Sequence, residues 1–298
     1  MPDASDEKFG PEGDRTIWHY TKGDALLGIL TQRCLWASSI LYLNDSAEFY
    51  HVRELMSEWM DKTGNGSGSG KEPVFVQILK RQLGRSDALN TFVISFSELC
   101  DDLSQWRAYG AGGGYCLGFA PSLLRSIAES QGFALVKCIY DHDLKIQLVG
   151  ELVKEHLTRF REVEADITDD DLGAGLGLYS DLDPSPTLRA LSKDFFLQAQ
   201  ELASRIKSEA FESEREWRLV SVQPPEPEAL RFRSRPSMLI PYRLFQLTRG
   251  DENPSLRHIV VGPSPHIQLN LTALAALSRT HKVALRAVSE SRVPYRDW

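Results

Sequence analysis

The chain has 298 residues, of which 42% are hydrophobic and 25% charged, a composition typical of a globular protein with one large core or two modest ones. Lys and Arg total 34 against 41 Asp and Glu, a formal charge of −7, which excludes a broadly basic coat protein for nucleic acid but leaves room for a local basic groove. Four cysteines without CxxC spacing indicate reduced thiols, and the polar start and short apolar runs predict a soluble, cytoplasmic protein with no membrane partner.

The first half of the chain predicts short strands that alternate with helices. Residues 1–15, rich in acidic residues, glycine and proline, predict a disordered leader. β-Branched and aromatic residues predict strands at 16–20 and 91–97, and the run TGNGSGSG predicts a flexible loop near 62–72. A glycine cluster at 110–114 predicts a tight turn, because it lacks the GK[ST] ending and the following helix of a phosphate-binding loop.

An acidic insert near 162–185 stands out in the second half. Residues 162–183 contain eight acidic side chains and no basic one, which is typical of a solvated surface insert or lid. A helix is predicted over about 186–209, and a final strand over 283–288. Because helices and strands intermix without regular βαβ spacing, we expect a single α+β domain over 16–298 with a mixed or antiparallel strand core.

Three charged residues alternate in a predicted strand near residue 216. Glu214, Glu216 and Arg218 lie two residues apart, and the alternation of a strand places them on one face. Two carboxylates on one face repel each other unless a cation or a ligand hydroxyl lies between them. Arg218 supplies one positive charge, so a surface ion-pair ladder and a ligand-binding site are equally compatible with the pattern.

A second charge pattern lies on a predicted strand near residue 233. Arg231, Arg233 and Arg235 alternate, which places three guanidinium groups on one face while Phe232 faces the core. Residues 229–249 contain five arginines and no acidic residue. This stretch is compatible with binding of a pyrophosphate or a nucleic-acid backbone and, slightly more so, with ion pairs to the acidic segment.

The sequence offers no metal site. Asp141, His142 and Asp143 are adjacent, and adjacent side chains point apart in most backbones. These residues predict a turn and a helix cap instead.

The short motifs of the chain, taken in order, resemble a bacterial family of uncharacterised domains. The order is WHYT at 18–21, LND followed by Glu48, SFSE at 95–98, W-x-x-Y-G running into GYCLGF, E-x-EWR, VVGP and S-x-x-PYR. The resemblance covers about residues 16–296. Members of this family occur sporadically, often among defence or mobile genes.

The opening of the chain is more remotely similar to ADP-ribosyltransferase-like proteins, especially the branch of toxins that modify DNA. Proteins of that fold place a His or Arg on the first strand, a Tyr or Ser on the second and a Glu on a later strand. The similarity therefore implies catalytic roles for His19 and for Glu216 or Glu214, and a ligand contact for Ser38 or Ser39.

The same similarity implies NAD as substrate. Cleavage of its nicotinamide–ribose bond develops positive charge on the ribose, as glycoside cleavage does, and a preorganised carboxylate stabilises that charge. His19 would bind a ribose hydroxyl, aromatic rings would stack on nicotinamide or adenine, and arginines would take the pyrophosphate. The implied NAD-binding residues are His19, Tyr20, Thr21, Ser38, Trp106, Tyr109, Arg218, Arg231 and Arg233.

One leading hypothesis and two alternatives follow. The first is a NAD-dependent ADP-ribosyltransferase-like transferase, or a NAD glycohydrolase, that acts as a toxin or phage-defence effector on a nucleic acid or protein, with an antitoxin as a further partner. The second is a non-catalytic nucleotide-sensing or binding module of a defence system. The third is a nucleic-acid-processing protein that uses the arginine strand.

Overall fold

The three-dimensional structure is a computed structural model, and most of the chain is described by it. The predicted leader, apart from Arg15, and the centre of the predicted loop near 62–72 lie outside the described residues. Helices occupy both ends of that loop, since one ends at Gly64 and the next begins at Glu72. The described residues are 15–43, 46–64, 70–84, 91–221, 225–248, 256–283 and 285–294.

Ten strands form one sheet within these residues. They are β1 (Ile17–Thr21), β2 (Cys34–Ser39), β3 (Phe92–Ser97), β4 (Tyr115–Phe119), β5 (Phe133–Lys137), β6 (Glu216–Ser221), β7 (Arg231–Arg235), β8 (Met238–Gln246), β9 (His258–Val261) and β10 (Ala287–Glu290). The order is β10-β9-β4-β1-β3-β2-β8-β7, and β6 pairs with β3 and β5 off this path. The β9–β10 ladder is parallel and the other described ladders are antiparallel. The predicted α+β class with a mixed sheet is confirmed.

Helices connect the strands and cover the sheet. They are α1 (Gly23–Gln32), α2 (Ser46–Gly64), α3 (Glu72–Gly84), α4 (Leu103–Tyr109), α5 (Pro121–Ala128), α6 (His142–Val163), α7 (Asp169–Gly175), α8 (Pro186–Arg205) and α9 (Ile267–Thr280). Asp141 caps α6 by accepting a hydrogen bond from the backbone N–H of Leu144 at 2.7 Å, which confirms the predicted helix cap. Among the described residues, no helix is both long and apolar enough to cross a membrane, and no group of His, Cys, Asp or Glu side chains is placed to hold a metal ion.

Different helices cover the two faces of the sheet. Val93 and Val220 lie on one face, in a core shared with α2, α3, α6, α7 and α8. Ile94 and Leu219, one residue further along the same strands, lie on the opposite face in a core shared with α1, α5 and α9. The first face is called the site face here. On β3 and β6 it carries Val93, Ser95, Ser97, Glu216, Arg218 and Val220.

Within the described part of the chain, one edge of β3 has no neighbouring strand along its middle. β1 pairs with this edge at Ser97, and β2 pairs with it at Phe92 and Val93. The other edge is paired with β6 over residues 93–97. β1 and β2 therefore diverge along β3, and the opening between them beside residues 94–96 is called the strand gap.

The predicted position of Glu214 in a strand is wrong. Glu214 ends a 3-10 turn, and Arg215 then adopts a left-handed backbone conformation with φ 45° before β6 begins at Glu216. A turn, and not strand alternation, therefore sets the relation between the two glutamates.

Two further boundaries differ from the prediction. The helix expected to reach about 209 ends at Arg205, which leaves Lys207 in the connection between α8 and β6. The final strand is Ala287–Glu290 and not 283–288, because its parallel pairing with β9 begins at residue 287. Both differences arise from tertiary contacts that local propensity does not include.

The prediction that Phe232 faces the core is wrong. β7 is the terminal strand of the sheet, and the buried core ends one strand earlier, at Phe245 of β8. The Phe232 ring is 60% exposed. Alternation alone does not distinguish an edge strand from a central one.

The acidic segment belongs to the helical layer. Residues 162–183 include the end of α6 and all of α7, and they place Ile167 and Leu172 in the core shared with α3 and α8. Most of the acidic side chains are exposed, as expected for a solvated surface. Buried apolar side chains, among them Ile167 and Leu172, thus hold the segment to the helical layer.

Candidate functional site

A depression lies on the site face beside the strand gap. It encloses about 400 Å³ when the open solvent at its mouth is included. Four separate stretches of sequence meet there. The lining residues are Trp18, His19, Tyr20, Ser95, Phe96, Ser97, Gln105, Tyr109, Glu214 and Glu216. The fold therefore brings together five of the residues that the sequence singled out.

His19 hydrogen-bonds across the strand gap. Its Nδ1 lies 2.9 Å from the backbone oxygen of Ser95, in the middle of β3. A carbonyl oxygen only accepts hydrogen bonds, so Nδ1 carries the proton and Nε2 remains as the acceptor of the ring. Burial lowers the pKa of His19 below its ordinary value of 6.5, although the bond to Ser95 opposes the shift. The side chain is therefore a neutral imidazole at pH 7.

Hydrogen bonds fix the backbone around the two glutamates. The Ser97 hydroxyl donates to the backbone oxygen of Glu214 at 2.7 Å and accepts from the N–H of Leu99 at 3.0 Å. Two residues later, the N–H of Glu216 donates to the Tyr140 hydroxyl at 2.8 Å. The left-handed turn at residue 215 is therefore held from both sides.

Glu216 forms a buried ion-pair cluster with two cations. Arg218 contacts both carboxylate oxygens, with Nε 2.8 Å from Oε1 and Nη2 3.0 Å from Oε2. Lys207 Nζ lies 2.7 Å from Oε2. The Glu216 residue is 5% exposed, so little of its carboxylate is accessible to a ligand. Bidentate guanidinium pairs of this kind have a fixed geometry.

The two cations control protonation of this cluster. Desolvation by burial would raise the pKa of Glu216, but Arg218 and then Lys207 outweigh it and hold the pKa at about 2. Burial would likewise lower the pKa of Lys207, yet Glu216 and Glu214 raise it above its ordinary value. Both groups are therefore charged across the physiological range of pH.

Glu214 is the more accessible of the two carboxylates. Its side chain is 21% exposed, against 6% for Glu216. Its Oε2 lies 2.5 Å from Lys207 Nζ, so one cation joins both glutamates. Glu214 is therefore the carboxylate more accessible from the depression, while Glu216 contacts Lys207 from the buried side.

Tyr20 and Trp106 support one wall of the depression from within. The Tyr20 hydroxyl donates to the backbone oxygen of Leu99 at 2.9 Å and accepts from the N–H of Asp102 at 3.0 Å. Its ring packs edge-on against Trp106, with ring centroids 4.8 Å apart. Trp106 is fully buried and does not line the depression, so the expected stacking of this ring on a ligand is wrong.

Tyr109 is the aromatic side chain best placed for a ligand. It is the last residue of α4 and is 40% exposed, and it lines the depression together with Gln105 one turn earlier. A half-exposed ring at the rim of a cleft presents a flat apolar surface to an aromatic ligand.

The other implied NAD-binding residues lie outside the depression. Thr21 is buried at the end of β1. Ser38 accepts a hydrogen bond from Arg233 Nη2 at 2.8 Å, and the exposed Arg231 donates to the backbone oxygen of Glu228 at 2.7 Å. Arg218 does not line the depression either; it contacts Glu216, which does.

Three residues that organise the site were not predicted from the sequence. No motif or pattern in the sequence points to Lys207. The only indication was that two carboxylates on one face require a cation between them. Ser95 and Ser97 belong to the quoted SFSE motif, and the alternation of that strand was the available signal. The Glu98 side chain of the same motif accepts hydrogen bonds from Trp217 Nε1 at 2.9 Å and Lys137 Nζ at 2.7 Å, and so ties β3 to β6 and β5.

A family model described as a protein of unknown function (DUF2971) matches residues 105–219. The match runs from the middle of α4 to the middle of β6, so it contains Tyr109, Lys207 and both glutamates but not His19 or β7. The chain therefore contains a domain of unknown function at residues 105–219, a shorter stretch than the 16–296 over which the short motifs suggested a resemblance. No curated protein and no solved structure matches the chain.

Proposed function

We propose that the protein binds NAD at the depression on the site face and cleaves the nicotinamide–ribose bond, as an ADP-ribosyltransferase-like transferase or a NAD glycohydrolase. The observation that carries the proposal is the convergence of His19, Tyr109 and Glu214 on one depression. These residues come from β1, α4 and the turn before β6, and each suits one part of nicotinamide riboside.

The chemistry assigns each residue a role. The neutral imidazole of His19 accepts a hydrogen bond from a ribose hydroxyl, and the half-exposed ring of Tyr109 stacks on the nicotinamide. The bond from ribose C1′ to the nicotinamide nitrogen breaks, and its electron pair leaves with neutral nicotinamide. The Glu214 carboxylate stabilises the positive charge that develops on the ribose. Water or an acceptor nucleophile then takes the ADP-ribosyl group.

Glu216 has a positioning role in this proposal. Its carboxylate already contacts Arg218 and Lys207, and Lys207 in turn contacts Glu214. The cluster thereby fixes the Glu214 side chain before the ligand arrives, which is the preorganisation that electrostatic catalysis requires.

The test is transfer or hydrolysis of NAD labelled in its adenylate half. The purified protein, with and without a bacterial cell extract, is expected to release nicotinamide and to yield labelled ADP-ribose or a labelled macromolecule. Glu214→Gln is expected to lower the rate by about 10²- to 10³-fold. Glu212→Gln, an exposed glutamate in the same 3-10 turn, is the matched control and should retain the rate. Equal rates in wild type and Glu214→Gln would remove the proposed role of Glu214.

A nucleotide-binding module without turnover is the second candidate. The observation that favours it is the Glu216 ion-pair cluster, because a carboxylate occupied by two cations suits a rigid binding site as well as a catalytic one. This candidate predicts that NAD or a related nucleotide raises the melting temperature by an amount that grows with the logarithm of its concentration above the dissociation constant, while no nicotinamide is released.

The biological setting is part of the same proposal. A NAD-consuming effector of a toxin or phage-defence system acts in the cytoplasm and requires an antitoxin or tight control. Controlled expression in a bacterial host is expected to arrest growth, and Glu214→Gln is expected to relieve the arrest at equal protein level. Growth arrest that persists in the variant would point to a cause other than NAD cleavage.

A further inference from the structure

Three arginines form a row on the last strand of the sheet. Arg231, Arg233 and Arg235 share one face of β7, and the register through β8 and β2 shows that this is the site face. Alternate residues of a strand lie about 7 Å apart, so the row spans about 13 Å. Within the described residues, no carboxylate lies within ion-pair distance of these three guanidinium groups, so the expected pairing with the acidic segment 162–183 is wrong.

The central arginine has an unsatisfied donor. Arg233 is half-buried, and its Nε is buried with no hydrogen-bond partner among the described residues, although Nη2 donates to Ser38. Burial lowers the pKa of Arg233, and the positive charge of Arg235 lowers it further. A partly desolvated cation with a like charge beside it is stabilised by an anion near its guanidinium, although the buried Nε itself is not accessible to one.

An aromatic pair adjoins this row. Trp36 of β2 and Tyr242 of β8 are stacked, with ring centroids 4.7 Å apart and planes 25° from parallel. The Arg233 guanidinium lies 5.9 Å from the centre of the Trp36 ring, and Arg231 pairs directly with Tyr242 in the β7–β8 ladder. Both rings are half-buried, so each keeps some accessible surface.

We propose that this arginine–aromatic patch binds single-stranded nucleic acid. Phosphates lie along Arg231, Arg233 and Arg235, and a base continues the stack of Trp36 and Tyr242. The combination of a basic track with an aromatic platform is how sequence-tolerant single-strand binding is built. A single pyrophosphate would occupy only part of an arginine row about 13 Å long. Successive phosphates of an extended nucleic-acid strand would occupy all of it.

The patch does not depend on NAD chemistry, but the two sites share one sheet face. If both proposals hold, the bound strand is the acceptor of ADP-ribose. The binding assay contains no NAD, so its result does not depend on whether the protein releases nicotinamide. Conversely, a failure to bind the oligonucleotide would not affect the test of nicotinamide release.

The test is fluorescence anisotropy with a labelled oligothymidylate of about 15 nucleotides over a series of salt concentrations. Three phosphate contacts predict a slope of about −2 for the logarithm of the binding constant against the logarithm of salt concentration. Arg231→Ala combined with Arg235→Ala is expected to weaken binding about tenfold or more and to bring the slope to about −0.7. Tyr242→Leu is expected to weaken binding about fivefold or more with an unchanged slope, because it removes stacking and no charge.

The matched control removes the same charge from the other side of the sheet. Arg279→Ala combined with Arg286→Ala changes two exposed arginines, one on α9 and one just before β10, and should leave binding unchanged. An equal loss in this control, or no binding by the folded wild type, would overturn the proposal. So would displacement of the oligonucleotide by equimolar NAD, which indicates a pyrophosphate site, or by equimolar polyglutamate, which indicates an acidic polypeptide as partner.

Discussion

At the scale of single residues, the two glutamates of the site differ in their surroundings. Glu216 is buried against Arg218 and Lys207, whereas Glu214 is partly exposed and shares only Lys207 with it. A change at Glu216 therefore acts first on the fold, because it leaves two buried cations without their carboxylate. A change at Glu214 acts first on the ligand.

Glu216→Gln is expected to lower the free energy of unfolding at pH 7 by about 3–5 kcal/mol. The pKa of Glu216 is lowered from 4.5 to about 2, so its ion pairs stabilise the fold fully above about pH 4.5 and lose this effect as pH falls towards 2. The difference in free energy of unfolding between wild type and variant should therefore become smaller as the pH is lowered from about 4.5 towards 2. Urea denaturation at a series of pH values measures it, with the exposed Glu226→Gln as control.

His19 offers a comparison of two substitutions. In His19→Asn, the side-chain amide N–H replaces Nδ1 and keeps the bond to Ser95, but the acceptor at Nε2 is lost; His19→Ala loses both. His19→Asn is expected to stay within about 1 kcal/mol of the wild type in stability and to bind NAD about tenfold more weakly. His19→Ala should lose stability as well as affinity.

Thermal denaturation with and without NAD separates these effects. Unchanged NAD affinity in His19→Asn would show that Nε2 does not contact the ligand. Burial lowers the pKa of His19, so its neutral form favours the fold above pH 6.5 and this contribution declines as pH falls below that value. The destabilisation by His19→Ala should therefore be largest above pH 6.5.

Residue types were more predictable than residue environments. The sequence pointed to His19 and to both glutamates, but it did not reveal Lys207, which reaches them from a connection whose path depends on where α8 ends. It also treated Trp106 and Tyr109 alike, although one is fully buried and the other 40% exposed. Burial is set by packing against distant segments, and a single motif does not contain that information.

At the scale of elements, the glycine loop joins α4 to β4 by close backbone contact. A Cβ atom at Gly114 would lie 2.7 Å from the Cα of Gly110 and 2.9 Å from the backbone oxygen of Thr21. The backbone oxygen of Gly114 also accepts a hydrogen bond from the N–H of Gly262 at 2.8 Å. The tight turn predicted from the sequence is confirmed, and the close approach gives the reason for glycine at this position.

Gly114→Ala is expected to lower the free energy of unfolding by about 1–3 kcal/mol, because the obstructing atoms are backbone and cannot rotate away. Gly84→Ala is the matched control, since a Cβ at Gly84 would have no atom of another described segment within 4 Å, and it should stay within about 0.5 kcal/mol of the wild type. Chemical denaturation of both variants checks this. An equally stable Gly114→Ala would contradict the tight packing described here.

The type of most elements was predictable, but their arrangement was not. Periodicity and composition indicated the strand at β3 and the helix at α8. The strand gap was not predictable, because it depends on two strands pairing with opposite ends of β3, more than fifty residues later in the chain. The exposure of Phe232 was missed for the same reason, since only the strand order shows that β7 is an edge.

At the scale of the whole molecule, the net charge of −7 is an average over unlike regions. The acidic residues of 162–183 lie on the helical layer, and the arginine row lies at the far end of the sheet without a carboxylate partner among the described residues. The depression with His19, Tyr109 and Glu214 lies beside β1, β3 and the turn before β6. The α+β class was predictable from the intermixed elements, whereas the convergence of these three residues required the sheet.

The most direct test of the central claim is the rate of nicotinamide release from NAD by the purified wild type and by Glu214→Gln. The account predicts release by the wild type and a rate about 10²- to 10³-fold lower in the variant, at equal thermal stability. No release by the folded wild type in the presence of cell extract, or equal rates for the two proteins, would contradict it.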